Sequence, residues 1–186
     1  DVRGLHWATS EPIIEKALRS RPGVLDARAS AIAQTATQGW KAENAQSRMD
    51  ALLAANYTSA TIDGVLSPND TLARAIITSV KQAGKDIATF TVTGQDSEVE
   101  SVKSIMEGVQ YSTINKDTTL LVEQTIKMIG QLQAGEEVDV NDTEQYDNGV
   151  KVVPAYLLDP VIVTKENAAE AYANVPSLLE IVESYK

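Results

Sequence analysis

Three strand-like apolar segments in this chain each run into a helical pattern, with only a short polar stretch between them. The apolar segments cover residues 62–66, 87–93 and 109–114, and the helical patterns after them end near Gly84, Gly108 and Gly135. Strands that alternate with helices at this rhythm form parallel sheets with right-handed crossovers. The sequence therefore predicts an α/β fold with a mainly parallel, doubly wound sheet and three layers.

Local signals predict where the elements begin. Pro12 near the start of an apolar periodic stretch predicts a helix to about residue 20, and residues 24–29 read as a short strand. A second helix is predicted from Glu43 to Asn56. For the three later helices we expect caps at Asp70, at Ser97 with Glu100 in capping-box spacing, and at Asp117.

A polar side chain follows each of the three predicted strands. Asn69 comes after the first strand, Asp96 after the second and Lys116 after the third. Because the carboxyl ends of parallel strands share one sheet edge, where open α/β folds bind ligands, we expect these side chains to converge. An amide, a carboxylate and an ammonium group together suit the hydroxyls of a small polyol. Taken singly, each residue also has a structural reading, as a turn Asn, an Asx turn or a solvated Lys.

Trp40 lies in a polar loop that spans about residues 30–41. Its ring could stack on the C–H face of a pyranose while polar groups take the hydroxyls. The competing reading is a Trp buried in or beside the core. Trp40 is therefore a candidate stacking residue.

Composition excludes several classes of function. The formal net charge of −10 disfavours broad contact with a nucleic-acid backbone, and the chain has no cysteine and one His. Neither phosphate-loop motif is present, and a single His near the start leaves no Ser-His-Asp arrangement. We expect neither cofactor nor metal, and no enzyme. An unrelated α/β enzyme would need a general base, for which Asp96 is the one plausible candidate.

Several segments together resemble a known family. They are WKAENAQSRMD at 40–50, SPND at 67–70, TGQDSEVESVKSI at 93–105, YSTINKDT at 111–118 and NDTEQYDNGVKVVPAYLL at 141–158. Over about residues 24–167 they resemble the carboxy-terminal part of bacterial xylose-binding and multiple-sugar-binding proteins, which are solute receptors of carbohydrate ABC transporters. The combination of GQD, INKDT and NGVKVVP makes the resemblance specific.

This resemblance implies the second lobe of a type I periplasmic binding protein, in which two α/β lobes close over an aldose. It implies a stacking role for Trp40, hydrogen-bonding roles for Asn69 and Asp96, and a donor role near the hinge for Lys116. Some multiple-sugar receptors carry an aromatic residue at the position of Asn69, so here the site is closer to the xylose-binding pattern. The implied partners are a monosaccharide and a transporter permease, in a periplasmic or extracytoplasmic location with attachment through the permease or a lipid anchor.

The resemblance also implies a division of the chain. Residues 1–116 would form the sugar-binding lobe, 117–137 a hinge-crossing helix that packs on the first lobe, and 138–186 an extended return segment with terminal helices. Because leader and first lobe are not in this sequence, the apolar stripe of that helix would lack its cover, and we expect it to dock elsewhere or against a second chain. Two alternatives share this architecture: the effector domain of a sugar-responsive transcription regulator, and a chemoreceptor-linked sugar sensor.

Overall fold

A computed structural model describes residues 36–186 of the chain. Two short 3-10 helices cover Gln38–Trp40 and Ile87–Thr89. The strands are β1 (Gly64–Leu66), β2 (Thr91–Thr93), β3 (Ser112–Asn115) and β4 (Val161–Thr164). The helices are α1 (Ala42–Asn56), α2 (Asp70–Gln82), α3 (Val99–Met106), α4 (Thr118–Ala134), α5 (Ala168–Ala171) and α6 (Pro176–Glu183).

The four strands form one sheet in the order β1-β2-β3-β4. The first three strands are parallel, and β4 returns antiparallel to β3, with Thr113 opposite Val163. Helices α2 and α3 connect the parallel strands, as expected for βα units. The predicted α/β class and mainly parallel sheet are therefore confirmed. The predicted helix near residues 11–20 and strand at 24–29 lie outside the described residues, so the complete layering stays a prediction.

Two apolar clusters stabilise this arrangement. The first joins α1 and α2 to the sheet and is built from Met49, Leu53, Ile62, Ala73, Ile77, Val80, Phe90 and Val92. The second joins α3 to β4, α5 and α6 and is built from Val102, Met106, Val163, Ala168, Tyr172, Leu178 and Val182. An ion pair of 2.6 Å between Arg74 and Glu98 links α2 to the loop before α3. The segment after residue 160 thus completes the same sheet and core.

The predicted second strand is shorter than expected. Asp86 accepts a hydrogen bond from the backbone N–H of Ala88 and so caps a 3-10 turn at Ile87–Thr89. This leaves only Thr91–Thr93 to pair with β1. The third strand begins later than predicted: it covers Ser112–Asn115 instead of residues 109–114.

Two predicted helix caps are wrong. Asn69, not Asp70, is the N-cap of α2, because its backbone is extended and its Oδ1 accepts the N–H of Leu72 at 2.9 Å. At α3 the N-cap position is Glu98 and no side chain caps that end. Ser97 has a φ of 56° there, so it does not occupy the cap geometry that the capping box requires.

Helix α4 begins and ends as predicted. Asp117 Oδ1 accepts the backbone N–H groups of Thr119 and Leu120, and Gly135 ends the helix with a φ of 69°. None of its residues is buried. The large apolar side chains that stay exposed are Leu120, Leu121, Val122, Ile126, Ile129 and Leu132. Within residues 36–186, no helix combines the length and the hydropathy that a membrane span needs.

Candidate functional site

The loops that follow β1, β2 and β3 lie side by side at one edge of the sheet. The N–H of Asp70 donates to the carbonyl of Gln95 at 2.9 Å, and the N–H of Asp96 donates to the carbonyl of Ile114 at 3.0 Å. The first bond joins the start of α2 to the loop after β2, and the second joins that loop to β3, all at the carboxyl ends of parallel strands. Asn69, Asp96 and Lys116 therefore lie on adjacent loops of the same edge, which is where such folds bind ligands.

Asp96 and Lys116 form an ion pair across two of these loops. Lys116 Nζ lies 2.7 Å from Asp96 Oδ1, and the side chains are 51% and 41% exposed, respectively. Within residues 36–186, the second carboxylate oxygen of Asp96 has no hydrogen-bond partner, and the Lys116 ammonium has further protons to donate to a ligand. The pair can accept hydrogen bonds from hydroxyls and donate one to a ring or hydroxyl oxygen.

Asn69 caps a helix with its side-chain oxygen, and its amide nitrogen can still donate to a ligand. Its Oδ1 caps α2 through Leu72, and the side chain is half-buried. Among the residues that the structure describes, no hydrogen bond from its amide nitrogen is found. The turn reading of Asn69 and the ligand reading are thus compatible, because the cap uses the oxygen and leaves the two N–H donors.

Trp40 ends the 3-10 turn before α1 with its side chain 59% exposed. It is not a core residue. Ala45 of α1 clusters with Leu72 and Ala75 of α2. The Ser79 hydroxyl near the end of α2 donates to the carbonyl of Gln46, so the start of α1 packs along α2. The structure shows no hydrogen bond or ion pair between Trp40 and the other three candidates within the described part of the chain. An accessible indole face at this position is available for stacking.

Asp70, which the sequence had suggested only as a cap, is fully buried beneath these loops. Its carboxylate accepts three hydrogen bonds, from Gln110 Nε2 at 2.9 Å, from the N–H of Glu98 at 2.9 Å and from Thr113 Oγ1 at 2.8 Å. Burial raises the pKa of Asp70 even though the three hydrogen bonds act in the opposite direction. Its side-chain partners are 40 and 43 residues away in sequence, so no local pattern reveals them.

Gly94 makes room for this buried carboxylate. A Cβ at position 94 would lie 2.1 Å from Asp70 Oδ1 and 2.6 Å from Gln110 Nε2. No side chain fits without displacing both groups. The glycine of the GQD motif therefore serves close packing of the loop on Asp70.

A second chain of hydrogen bonds reaches the same loop from α5 and β3. The hydroxyl of Tyr172 donates to Ser97 Oγ at 2.9 Å, and the N–H of Ser97 donates to Thr113 Oγ1 at 3.1 Å. Tyr172 is fully buried, and burial raises its pKa to about 12. The loop that carries Asp96 is thus bonded on several sides.

Other parts of the described chain offer less. A shallow depression of about 400 Å³ with nearly apolar walls lies in the 146–155 segment, lined by residues such as Tyr146, Asn148 and Val153, and none of the candidate residues contributes to it. No cluster of three His, Cys, Asp or Glu side chains suited to a metal ion occurs in residues 36–186. The strand edge brings a carboxylate, an ammonium group and an amide together on adjacent loops.

The fold and this polar strand edge define an α/β ligand-binding unit of the kind found in solute-binding proteins. The chain belongs to the periplasmic binding protein domain family, whose profile matches residues 14–137. The resemblance drawn from the sequence motifs is thereby confirmed. The prediction that the chain is not an enzyme agrees with this membership, because the relatives below are named as sugar receptors.

Among curated proteins, the chain is 52% identical over 134 residues to the multiple sugar-binding periplasmic receptor ChvE of Rhizobium radiobacter. It is 46% identical over 137 residues to the multiple sugar-binding periplasmic protein SbpA of Azospirillum brasilense. These matches cover 70% and 72% of this chain and 38% of each relative. A D-xylose-binding periplasmic protein of Escherichia coli is 31% identical over 147 residues, or 79% of this chain and 43% of that protein. The matched part of the chain thus spans less than half the length of each of these relatives.

Solved structures give the same result. An ABC transporter solute-binding protein from Clostridium phytofermentans, with bound β-D-glucose, matches with a TM-score of 0.68 and 35% identity over 81% of this chain and 48% of that one. A carbohydrate transporter solute-binding protein from Chloroflexus aurantiacus, in complex with D-glucose, matches with a TM-score of 0.64 and 33% identity over 75% of this chain and 40% of that one. The type I periplasmic binding protein fold is confirmed.

Proposed function

We propose that this chain supplies one wall of a monosaccharide-binding cleft in a receptor that delivers its ligand to a carbohydrate ABC importer. The observation that carries the proposal is the solvent-accessible pair of Asp96 and Lys116 beside Asn69, on three adjacent loops of the sheet edge. The supporting context is the family, whose relatives are named for sugar binding in the periplasm.

Each candidate residue would have a distinct contact with the sugar. Asp96 would accept hydrogen bonds from neighbouring hydroxyls, and its charge makes these about twice as strong as neutral ones. Lys116 would donate to a ring or hydroxyl oxygen, and the amide nitrogen of Asn69 would donate to another hydroxyl. Trp40 would stack on the apolar ring face. This arrangement fits an aldopyranose, and we propose an aldose of the xylose or related type as the ligand.

The open strand edge fits half of a cleft, and α4 fits a contact with the other half. Its exposed apolar side chains, such as Leu121, Ile129 and Leu132, form a face that a monomer seldom leaves uncovered. We propose that residues 117–137 pack on a first lobe and that residues 138–160 cross back, so that hinge closure traps the sugar. In this chain alone, the same face could pair with a second copy. The closed receptor would act outside the cytoplasmic membrane, reaching it through the permease or a lipid anchor.

Calorimetric titration of the complete two-lobed receptor with xylose, glucose, galactose and arabinose tests the proposal. At least one of these sugars should bind, and Asp96→Ala should weaken its binding by about 1 to 3 kcal/mol because ligand hydroxyls lose an ionised acceptor. Glu100→Ala is a matched control, since Glu100 forms a similar exposed ion pair with Lys103 at 2.8 Å on α3. No heat with any of the four sugars, or equal affinities for Asp96→Ala and the wild type, would contradict the proposal.

A further inference from the structure

The loop that carries Asp96 has an unfavourable backbone conformation. Asp96 and Ser97 are consecutive non-glycine residues with positive φ values of 98° and 56°. Such values are sparsely populated by L-residues, so the surrounding structure must hold them. The source of that constraint lies in the hydrogen bonds of the loop.

Every backbone N–H from residue 96 to residue 98 has a fixed acceptor. Asp96 donates to the carbonyl of Ile114, Ser97 to Thr113 Oγ1 at 3.1 Å and Glu98 to Asp70 Oδ2 at 2.9 Å. The N–H of Asp70 in turn donates to the carbonyl of Gln95. Asp70 therefore contacts the loop on both sides of Asp96, through its own backbone and through its carboxylate.

The same carboxylate also sets the orientation of the Thr113 hydroxyl. Thr113 directs its proton to Asp70 Oδ2 at 2.8 Å, which leaves its oxygen lone pairs to accept the N–H of Ser97. Gln110 Nε2 binds the other oxygen, Oδ1, and so fixes the carboxylate itself. Two of the three loop N–H bonds thus depend, directly or through Thr113, on one buried side chain.

We propose that Asp70 is a positioning residue for ligand binding: its buried carboxylate holds residues 95–98 in the strained conformation that presents Asp96 to the sugar. This inference rests on the sugar-binding role proposed for Asp96. Asp70 has no accessible surface and so does not contact the ligand itself. Asp70→Asn would keep the size of the side chain but replace one acceptor oxygen with an NH₂ donor. That NH₂ group would face the groups that now donate to Asp70, so at least one hydrogen bond would be lost.

A double-mutant cycle in the complete receptor tests this role. Sugar affinity is measured by calorimetry for the wild type, Asp70→Asn, Asp96→Ala and the double variant, well below each melting temperature. Asp70→Asn should raise Kd roughly ten-fold, the scale of one badly placed charge-assisted hydrogen bond. In the Asp96→Ala background, the same change should have almost no further effect, because the group that Asp70 positions is gone.

Two further comparisons keep the test decisive if Asp70→Asn does not fold. Thr113→Val removes the hydroxyl that links Asp70 to Ser97 and should weaken binding, whereas Thr113→Ser keeps the hydroxyl and should restore most of the affinity. Asp86→Asn is the matched control, because Asp86 also accepts a backbone N–H but lies before β2, at the opposite end of that strand. It should leave Kd unchanged.

The outcomes separate the two proposals. An unchanged Kd for Asp96→Ala would overturn the sugar-binding role of Asp96 and this inference with it. A raised Kd for Asp96→Ala together with an unchanged Kd for folded Asp70→Asn would overturn the positioning role alone. Equal losses from Asp70→Asn with and without Asp96 would also overturn it, since they indicate a general structural effect. If Asp70→Asn fails to fold, equal sugar affinities for Thr113→Val and Thr113→Ser would overturn the positioning role of Asp70.

Discussion

The sheet edge around Asp70 and the helix α4 differ in how far the rest of the chain contacts their side chains. At the sheet edge, the buried Asp70 carboxylate accepts three hydrogen bonds, although the buried Oε1 of its partner Gln110 has no hydrogen-bond partner among the described residues. Helix α4 is well formed by its own cap and its final glycine, yet it buries none of its residues. The comparison shows that the sheet edge is held by a hydrogen-bond network within the chain, whereas α4 has a regular backbone and an apolar face that no part of residues 36–186 buries.

The largest expected effect is a loss of unfolding free energy when a leucine is shortened to alanine, and it should differ between the sheet-edge region and α4. Leu72 in α2 is 1% exposed. Leu72→Ala should lower the unfolding free energy by about 2 to 5 kcal/mol, because it leaves a cavity beside Ala45 and Ala75. Leu132→Ala is the same change in α4, where the side chain is 66% exposed, and should cost less than about 0.5 kcal/mol in this chain.

Urea unfolding of residues 1–186 measures both changes. Repeating Leu132→Ala in the complete receptor sharpens the comparison, since a covering lobe would raise its cost to a buried-leucine value. Similar costs for the two leucines in this chain would show that α4 is already covered, by a second copy or otherwise. Sedimentation of the same samples distinguishes a dimer from a monomer.

The pH dependence of stability should reveal the buried carboxylate. Burial raises the pKa of Asp70, so the folded chain binds that proton more tightly than the unfolded chain. The resulting stabilisation is fully present below the usual aspartate pKa of about 4 and is lost as pH rises through the raised pKa. The unfolding free energy of the wild type minus that of Asp70→Asn should therefore fall across this window, by about 1.4 kcal/mol for each pKa unit of the shift.

Urea titrations at a series of pH values test this sign, and Asp139 provides the contrast from the α4 region. A hydrogen bond and ion pair with Lys127 hold the pKa of Asp139 below its usual range, so its contribution changes in the opposite direction. A wild-type advantage over Asp70→Asn that grows with pH would contradict the assignment of Asp70 as a carboxylate whose ionised form burial disfavours.

The smallest expected effect compares two helix caps. Asn69→Ala should lower the unfolding free energy by about 1 kcal/mol, because α2 loses its N-cap acceptor. Asp117→Ala should have a smaller effect on global unfolding, since fraying at the start of α4 exposes no buried residue. Asn69→Asp is the control that keeps an acceptor oxygen. Far-UV circular dichroism during urea unfolding measures all three, and an equal loss from both alanine variants would break the comparison.

Local features were predicted well from the sequence where neighbouring residues decide them. Asp117 and Gly135 bound α4 as expected, and the strand–helix rhythm gave the parallel sheet. The expected convergence of the strand-end side chains is seen for Asp96 and Lys116, which form an ion pair. Whether the four candidate side chains bind sugar is a proposal that the experiments above address.

Features decided by distant residues were not predicted. The N-cap of α2 is Asn69, whose backbone is extended, and the Asp70 carboxylate bonds instead to Gln110 and Thr113, far along the chain. The capping box at Ser97 fails for a related reason, since the N–H of Ser97 bonds to Thr113 and its φ is positive. Both errors come from one buried network that joins three βα loops, and no spacing within a single loop shows it.

The close approach at Gly94 has a practical consequence for mutagenesis of the proposed sugar site. Because any side chain there would collide with the Asp70 carboxylate, substitutions at 94 would disturb the scaffold before they altered recognition. A mutagenesis library that tests the proposed site should vary the exposed positions 40, 96 and 116 and the half-buried position 69, and keep glycine at 94. The same constraint helps to interpret distantly related sequences. A bulky residue at the position of Gly94, together with an aspartate at the position of Asp70, would indicate a different loop conformation.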